Sequence, residues 1–128
     1  MIKLRTRLAA VLAFAAIAVS WMVASPAQAA TVGVAVRVGG YWCPSGWTPY
    51  VRGVEVSPNG YNAIYGHWVG WSTSPTVTVT GVPSSGGSAQ VVVAYSCKGY
   101  WFWQQTTPAP ICGTRWAYGS GYQPTWWF

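Results

Sequence analysis

The stretch AQVVVAYSCKGYWFWQQ, residues 89–105, decides how the chain folds. Its first half is Val-rich, with Tyr95 and Cys97 at alternate positions. Its second half sets Tyr100, Trp101, Phe102 and Trp103 in one unbroken aromatic row. β-Branched and aromatic residues favour the pleated, half-buried surface of a strand. Lys98-Gly99 in the middle reads as a two-residue hairpin turn, with Gly99 supplying the positive φ such turns need. In that register Cys97 faces Tyr100, Ser96 faces Trp101, Tyr95 faces Phe102 and Ala94 faces Trp103. Alternation then sorts the hairpin into two faces. One carries Val91, Val93, Tyr95, Cys97, Tyr100 and Phe102, bulky and apolar as a core requires. The other carries Gln90, Val92, Ala94, Ser96, Trp101, Trp103 and Gln105, two indoles over small residues with amides at either side.

The rest of the chain has the same character. Val32-Gly-Val-Ala-Val-Arg-Val38 alternates strictly, and the period of two argues for a half-buried strand. Further strands are expected at 50–56, 62–71, 76–82 and 114–118, beside 89–97 and 100–105. Turn residues separate them at Pro44-Ser-Gly46, Ser57-Pro-Asn-Gly60, Pro83 to Ser88 and Pro108-Ala-Pro110. Trp68 and Trp71 point opposite ways on a regular strand, so one of them belongs to the core. About seven short strands with no helical period predict an all-β fold, an antiparallel β-sandwich or small barrel with one disulfide. Tyr95-Ser-Cys97 resembles the Tyr-x-Cys of immunoglobulin-type sandwiches over those three residues. The Trp that family places about a dozen residues after its first Cys is missing, since Trp47 and Trp68 follow Cys43 instead.

The N-terminus begins with Lys3, Arg5 and Arg7, continues through an apolar run from Leu8 to about Ala24, and reaches Ala27-Gln28-Ala29. A basic region, an apolar region and an A-x-A site form a secretory signal peptide. The apolar run is short of the roughly 20 residues that a membrane span needs. Residues 1–29 are therefore expected to be a signal peptide and residues 30–128 a single secreted β domain without a membrane span. Abundant Ala, Gly, Val, Trp and Pro with few Lys, Asn and Ile suggest a bacterium of high GC content.

Charge and acid content exclude more than they suggest. The whole chain carries a net charge of +6, but residues 30–128 keep only Arg37, Arg52, Lys98 and Arg115 against Glu55. Four scattered cations do not make the clustered footprint of a nucleic-acid-binding protein. The chain has no Asp, a single Glu and a single His. Paired-carboxylate glycoside hydrolysis, a Ser-His-Asp triad and a carboxylate calcium site each need acids that are absent. His67 and the cysteines show no zinc-ligand spacing. A Cys–His pair built from an odd thiol and His67 is the one nucleophilic arrangement left, and His67 reads instead as a polar side chain on a strand face. No enzyme, cofactor or metal is expected. Cys43, Cys97 and Cys112 give one disulfide and one odd thiol in an oxidising compartment. The Cys97–Cys112 pairing is the first choice because its short loop crosses a turn, Cys43 with either partner is the alternative, and the odd cysteine offers a route to self-association.

Recognition is what remains. All of the chain's Trp, Tyr and Phe except Phe14 and Trp21 lie in residues 30–128. A domain this small cannot bury so many rings, each worth roughly 150–250 Å². A large exposed aromatic patch usually marks an interaction site. Trp101 and Trp103, spaced about 6.5–7 Å along a strand, would form a platform for the C–H face of a sugar ring. Gln90 and Gln105 would supply amides to its hydroxyls, while Trp47 and Tyr122, which follow turn residues, would add rings at the sheet ends. The expectation is a secreted, non-catalytic binding module for polysaccharide or another cell-envelope ligand. Two alternatives stand beside it. One is a small antibacterial protein, which in size, signal peptide, mild positive charge and aromatic C-terminus resembles the lactococcin type of secreted bacteriocins. The other is a structural surface protein that self-assembles through aromatic strands and the odd cysteine.

Overall fold

The alternating valines become strands because only a pleated chain can send every second side chain to one interior. In a computed structural model, residues 29–128 are described. The signal-like segment up to Gln28 lies outside the described residues. The strands are β1 (Ala29–Arg37), β2 (Thr48–Pro58), β3 (Tyr65–Ser72), β4 (Thr76–Pro83), β5 (Gly87–Lys98), β6 (Gln105–Thr106), β7 (Ile111–Ala117) and β8 (Trp126–Trp127), with one 3₁₀ turn at Gly40–Trp42. They form one sheet in the order β6-β5-β2-β3-β4-β1-β8, and β7 shares with β6 the free edge of β5. All pairings are antiparallel except that of β8, which runs parallel to β1.

The sheet curls until its two edges meet. Trp126 Nε1 donates to the Trp116 carbonyl of β7 at 3.0 Å, and Arg115 donates from Nε and Nη2 to the Trp127 carbonyl at 3.2 and 2.6 Å. Side-chain donors thus bridge the seam between β7 and β8 that no backbone ladder closes. The all-β antiparallel expectation holds in this curled form.

Inside lies one apolar cluster, built mainly from the alternate valines of β1, β2, β4 and β5, closed by Ile64 below and by Trp126 and Phe128 at the seam. Trp68 packs against this cluster while Trp71 faces outward, so the two indoles of β3 do part. In β2, Val51 and Val54 are both buried although three positions apart. A register shift between Val51 and Gly53 against both β3 and β5 explains this, because the extra residue resets the alternation and turns Arg52 outward. At the lower end Gly81 holds φ +73°, and a Cβ there would strike the Ala63 carbonyl. Gly81→Ala should therefore cost about 1–3 kcal/mol, read as a lower denaturant midpoint with an unchanged slope.

Two expectations fail. Residues 100–103 are not a strand. β6 pairs Cys97 with Thr106 and Lys98 with Gln105, leaving residues 99–104 as a six-residue loop. The two-residue turn needs positive φ in its centre, and Gly99 is not among the positive-φ glycines. Tyr100 and Phe102, expected in the core, are instead 87% and 91% exposed. The disulfide also differs. It joins Cys43 to Cys97, with Cα atoms 5.5 Å apart, and Cys112 is a free, exposed thiol. Cys112 stands opposite Val92, five residues down β5 from Cys97. That is about 16 Å away at ~3.3 Å per residue, well beyond the ~7 Å a disulfide tolerates. It also faces outward, whereas Cys97 is fully buried.

Candidate functional site

The β5–β6 loop presents its four rings from a fixed frame. Gly99 N donates to the Gln104 carbonyl at 2.8 Å, and Gln104 N to the Trp101 carbonyl at 2.9 Å. The Gln104 side chain completes the frame by accepting from Trp101 N at 2.9 Å. Beneath it lies Trp47, partly buried and packed against the core. A Cβ on Gly99 would come within 2.9 Å of the Trp47 ring and 2.6 Å of Gln104 Oε1. Glycine is therefore used here for close approach rather than for unusual dihedrals.

The rings are ordered among themselves. Trp101 and Trp103 stack with centroids 5.3 Å apart and planes 4° from parallel. Tyr100 meets Trp101 edge-to-face at 4.9 Å, and Phe102 meets Trp103 in the same manner at 5.1 Å. Such pairs contribute about 0.5–1.5 kcal/mol each beyond the area they bury. The loop thus holds its shape although Trp101 and Trp103 remain 52% and 63% exposed. The two indoles meet as a stack, where a strand would have laid them side by side.

Of the residues singled out in the sequence, Trp101, Trp103, Gln105 and Trp47 gather at this end, with Gln105 at the foot of the loop opposite Lys98. Gln90 does not join them. It is exposed on β5 opposite Ser57 and Thr114, eight residues and about 26 Å below Lys98. Tyr122 is exposed in the loop between β7 and β8, at the opposite end of the sheet.

Several rings at the loop's end went unread. Tyr41 and Trp42, on the 3₁₀ turn beside Cys43, form a tilted pair at 5.5 Å. Trp42 meets the buried Tyr95 edge-on at 6.4 Å, and burial pushes the Tyr95 phenol above its ordinary pKa. On the outer wall, Tyr50 and Trp71 meet edge-to-face at 6.0 Å, with Arg52 and Lys98 over the Trp71 ring. The spacing of Val51 and Val54 was the signal that could have revealed the bulge and hence the direction of Arg52.

Elsewhere the wall offers little chemistry. Glu55 and His67 stand opposite each other across β2 and β3. Among the described residues, no three His, Cys, Asp or Glu side chains gather as metal ligands. Compared with family models, curated proteins and solved structures, the chain matches none.

Proposed function

We propose that the protein is an exported, non-catalytic binding module that holds a polysaccharide or another cell-envelope ligand against the rings of loop 99–104. The observation that carries this reading is four adjacent exposed aromatic rings in a loop tied at both ends and across its middle. Water gains nothing from such a patch, and a soluble chain keeps one where a ligand covers it. Because the stack is already formed, a ligand need not order it on binding, which removes one of the usual entropic costs. The apolar C–H face of a pyranose fits exposed indole and phenyl surface, while Gln105 can hydrogen-bond a hydroxyl. The scarcity of acids and the single His favour binding over catalysis. A disulfide and the basic, apolar and Ala-x-Ala run at the N-terminus support export.

The test is retention on insoluble glycans such as cellulose, chitin and peptidoglycan. Trp101→Ala/Trp103→Ala should weaken retention by about 30-fold or more, since central aromatic anchors are worth about 2 kcal/mol or more. Its thermal unfolding should stay close to that of the parent, because neither ring is in the core. Failure of the parent protein to bind any glycan would remove the proposal.

A further inference from the structure

We infer that the ligand is negatively charged, a glycan bearing carboxylate or phosphate groups, and that Arg52 and Lys98 bind its charges on the outer wall beside the loop. This rests on the reading of loop 99–104 as a glycan-binding surface and specifies the class of glycan. The bulge in β2 turns Arg52 outward, where its guanidinium carbon lies 3.6 Å from the centre of the Trp71 ring. Lys98 Nζ lies 4.6 Å from the same ring and 5.6 Å from that of Tyr50. Two cations thus share one indole, no farther apart than the sum of their distances to its centre. That upper limit is about one Debye length, ~8 Å at physiological ionic strength, so their mutual repulsion is felt.

Nothing in the described chain neutralises them. Glu55, the only acid, stands lower on the wall between His67 and Val92. Neither cation forms an ion pair or side-chain hydrogen bond among the described residues, and Arg52 Nε is buried without a partner. Arg115 is different, since its guanidinium is occupied by the Trp127 and Thr114 carbonyls at the seam. The Arg52 guanidinium is therefore held by a ring rather than by acceptors, and with Nε buried its two terminal Nη groups are left for an oxyanion. Trp71 remains 43% exposed beneath the two cations, so a ligand drawn to them also meets its indole. Lys98 ends β5, and the ring-bearing loop starts at the next residue. Charge and rings therefore share one end of the sheet.

Affinity electrophoresis of the protein produced from the full-length sequence tests the assignment, with polygalacturonate, poly(glycerol phosphate) and a neutral β-glucan as the three polymers. The parent protein should be retarded at least about tenfold more strongly by one or both anionic polymers than by the neutral one, and less so as salt rises. Which anionic polymer acts names the charged group. Arg52→Gln/Lys98→Gln should abolish the anionic preference but leave any retardation by the neutral glucan. Lys98→Gln alone, at an exposed strand end, guards against loss of fold at the half-buried Arg52. Arg37→Gln removes one charge from β1 and should leave the preference in place. Equal retardation by charged and neutral polymers, an undiminished preference in the double variant, or an equal loss in Arg37→Gln would each overturn the inference. If Trp101→Ala/Trp103→Ala binds the anionic polymer like the parent, the role of loop 99–104 falls while that of Arg52 and Lys98 stands.

Discussion

Replacing Cys43 and Cys97 together by alanine should lower the unfolding free energy by about 4 kcal/mol, and Cys112→Ser should leave it nearly unchanged. The bridge spans 54 residues, and closing a loop of that length removes about 4 kcal/mol of chain entropy from the unfolded state. For a domain near 100 residues this corresponds to a fall in Tm of about 15–30 °C. Alanine is the better probe because Cys97 is fully buried and a hydroxyl there would have to be desolvated. Two measurements settle the pairing. Under non-reducing conditions an alkylating reagent should label Cys112 alone, and peptide mapping should recover Cys43 linked to Cys97. A linked Cys97–Cys112 peptide would overturn the description of β7 as well as of the bridge, because Cys112 could not then lie opposite Val92.

The second large effect is expected at the seam. Trp126→Ala should cost about 3–5 kcal/mol, the usual range for truncating a buried aromatic side chain. Trp126 is only 4% exposed, and its ring nitrogen donates across to the Trp116 carbonyl of β7. The variant therefore loses core contacts and one of the bonds that join the two edges. Trp127→Ala is the matched comparison, since Trp127 is 53% exposed and packs its ring under Arg37. It should cost about 1 kcal/mol or less, the scale of an exposed cation–π contact. Chemical denaturation with both variants would check this. Equal losses would mean that the seam depends on the backbone pairing of β8 with β1 and not on the buried indole.

The walls of the sheet were legible because burial follows parity. Val32 to Val38, Val77 and Val79, and Val91 to Tyr95 alternate in sequence and in burial alike, and Ser96, expected on the outer face, breaks the pattern by being fully buried. Parity misled where its premise failed. An aromatic row looks like a strand by propensity, yet Tyr100 to Trp103 are fixed by a turn at Trp101–Gln104 whose bonds involve one amide side chain and three backbone groups. Short separation made Cys97–Cys112 attractive, whereas the true partner stands far away in sequence and close across the end of the sheet. Ring count foretold exposed aromatic surface without naming it. The choice of Trp101 and Trp103 came from a strand alternation that does not exist, and Tyr100 and Phe102 are more exposed than either. Gln90 was grouped with them only through a hairpin register that does not exist. The pairing of Arg52 with Lys98 needed both the bulge and the β2–β5 register, neither of which composition reveals.

The ring-bearing loop belongs to no ladder, and it is tied to the sheet by the two residue pairs at its foot and by Trp47 beneath Gly99. With Gly99 and Gln104 kept as its frame, Tyr100 to Trp103 can accordingly be rewritten while the valine interior and the seam keep their own contacts. Wall and loop are separable, so under the proposed reading one scaffold of this shape would carry loops cut for different polymers.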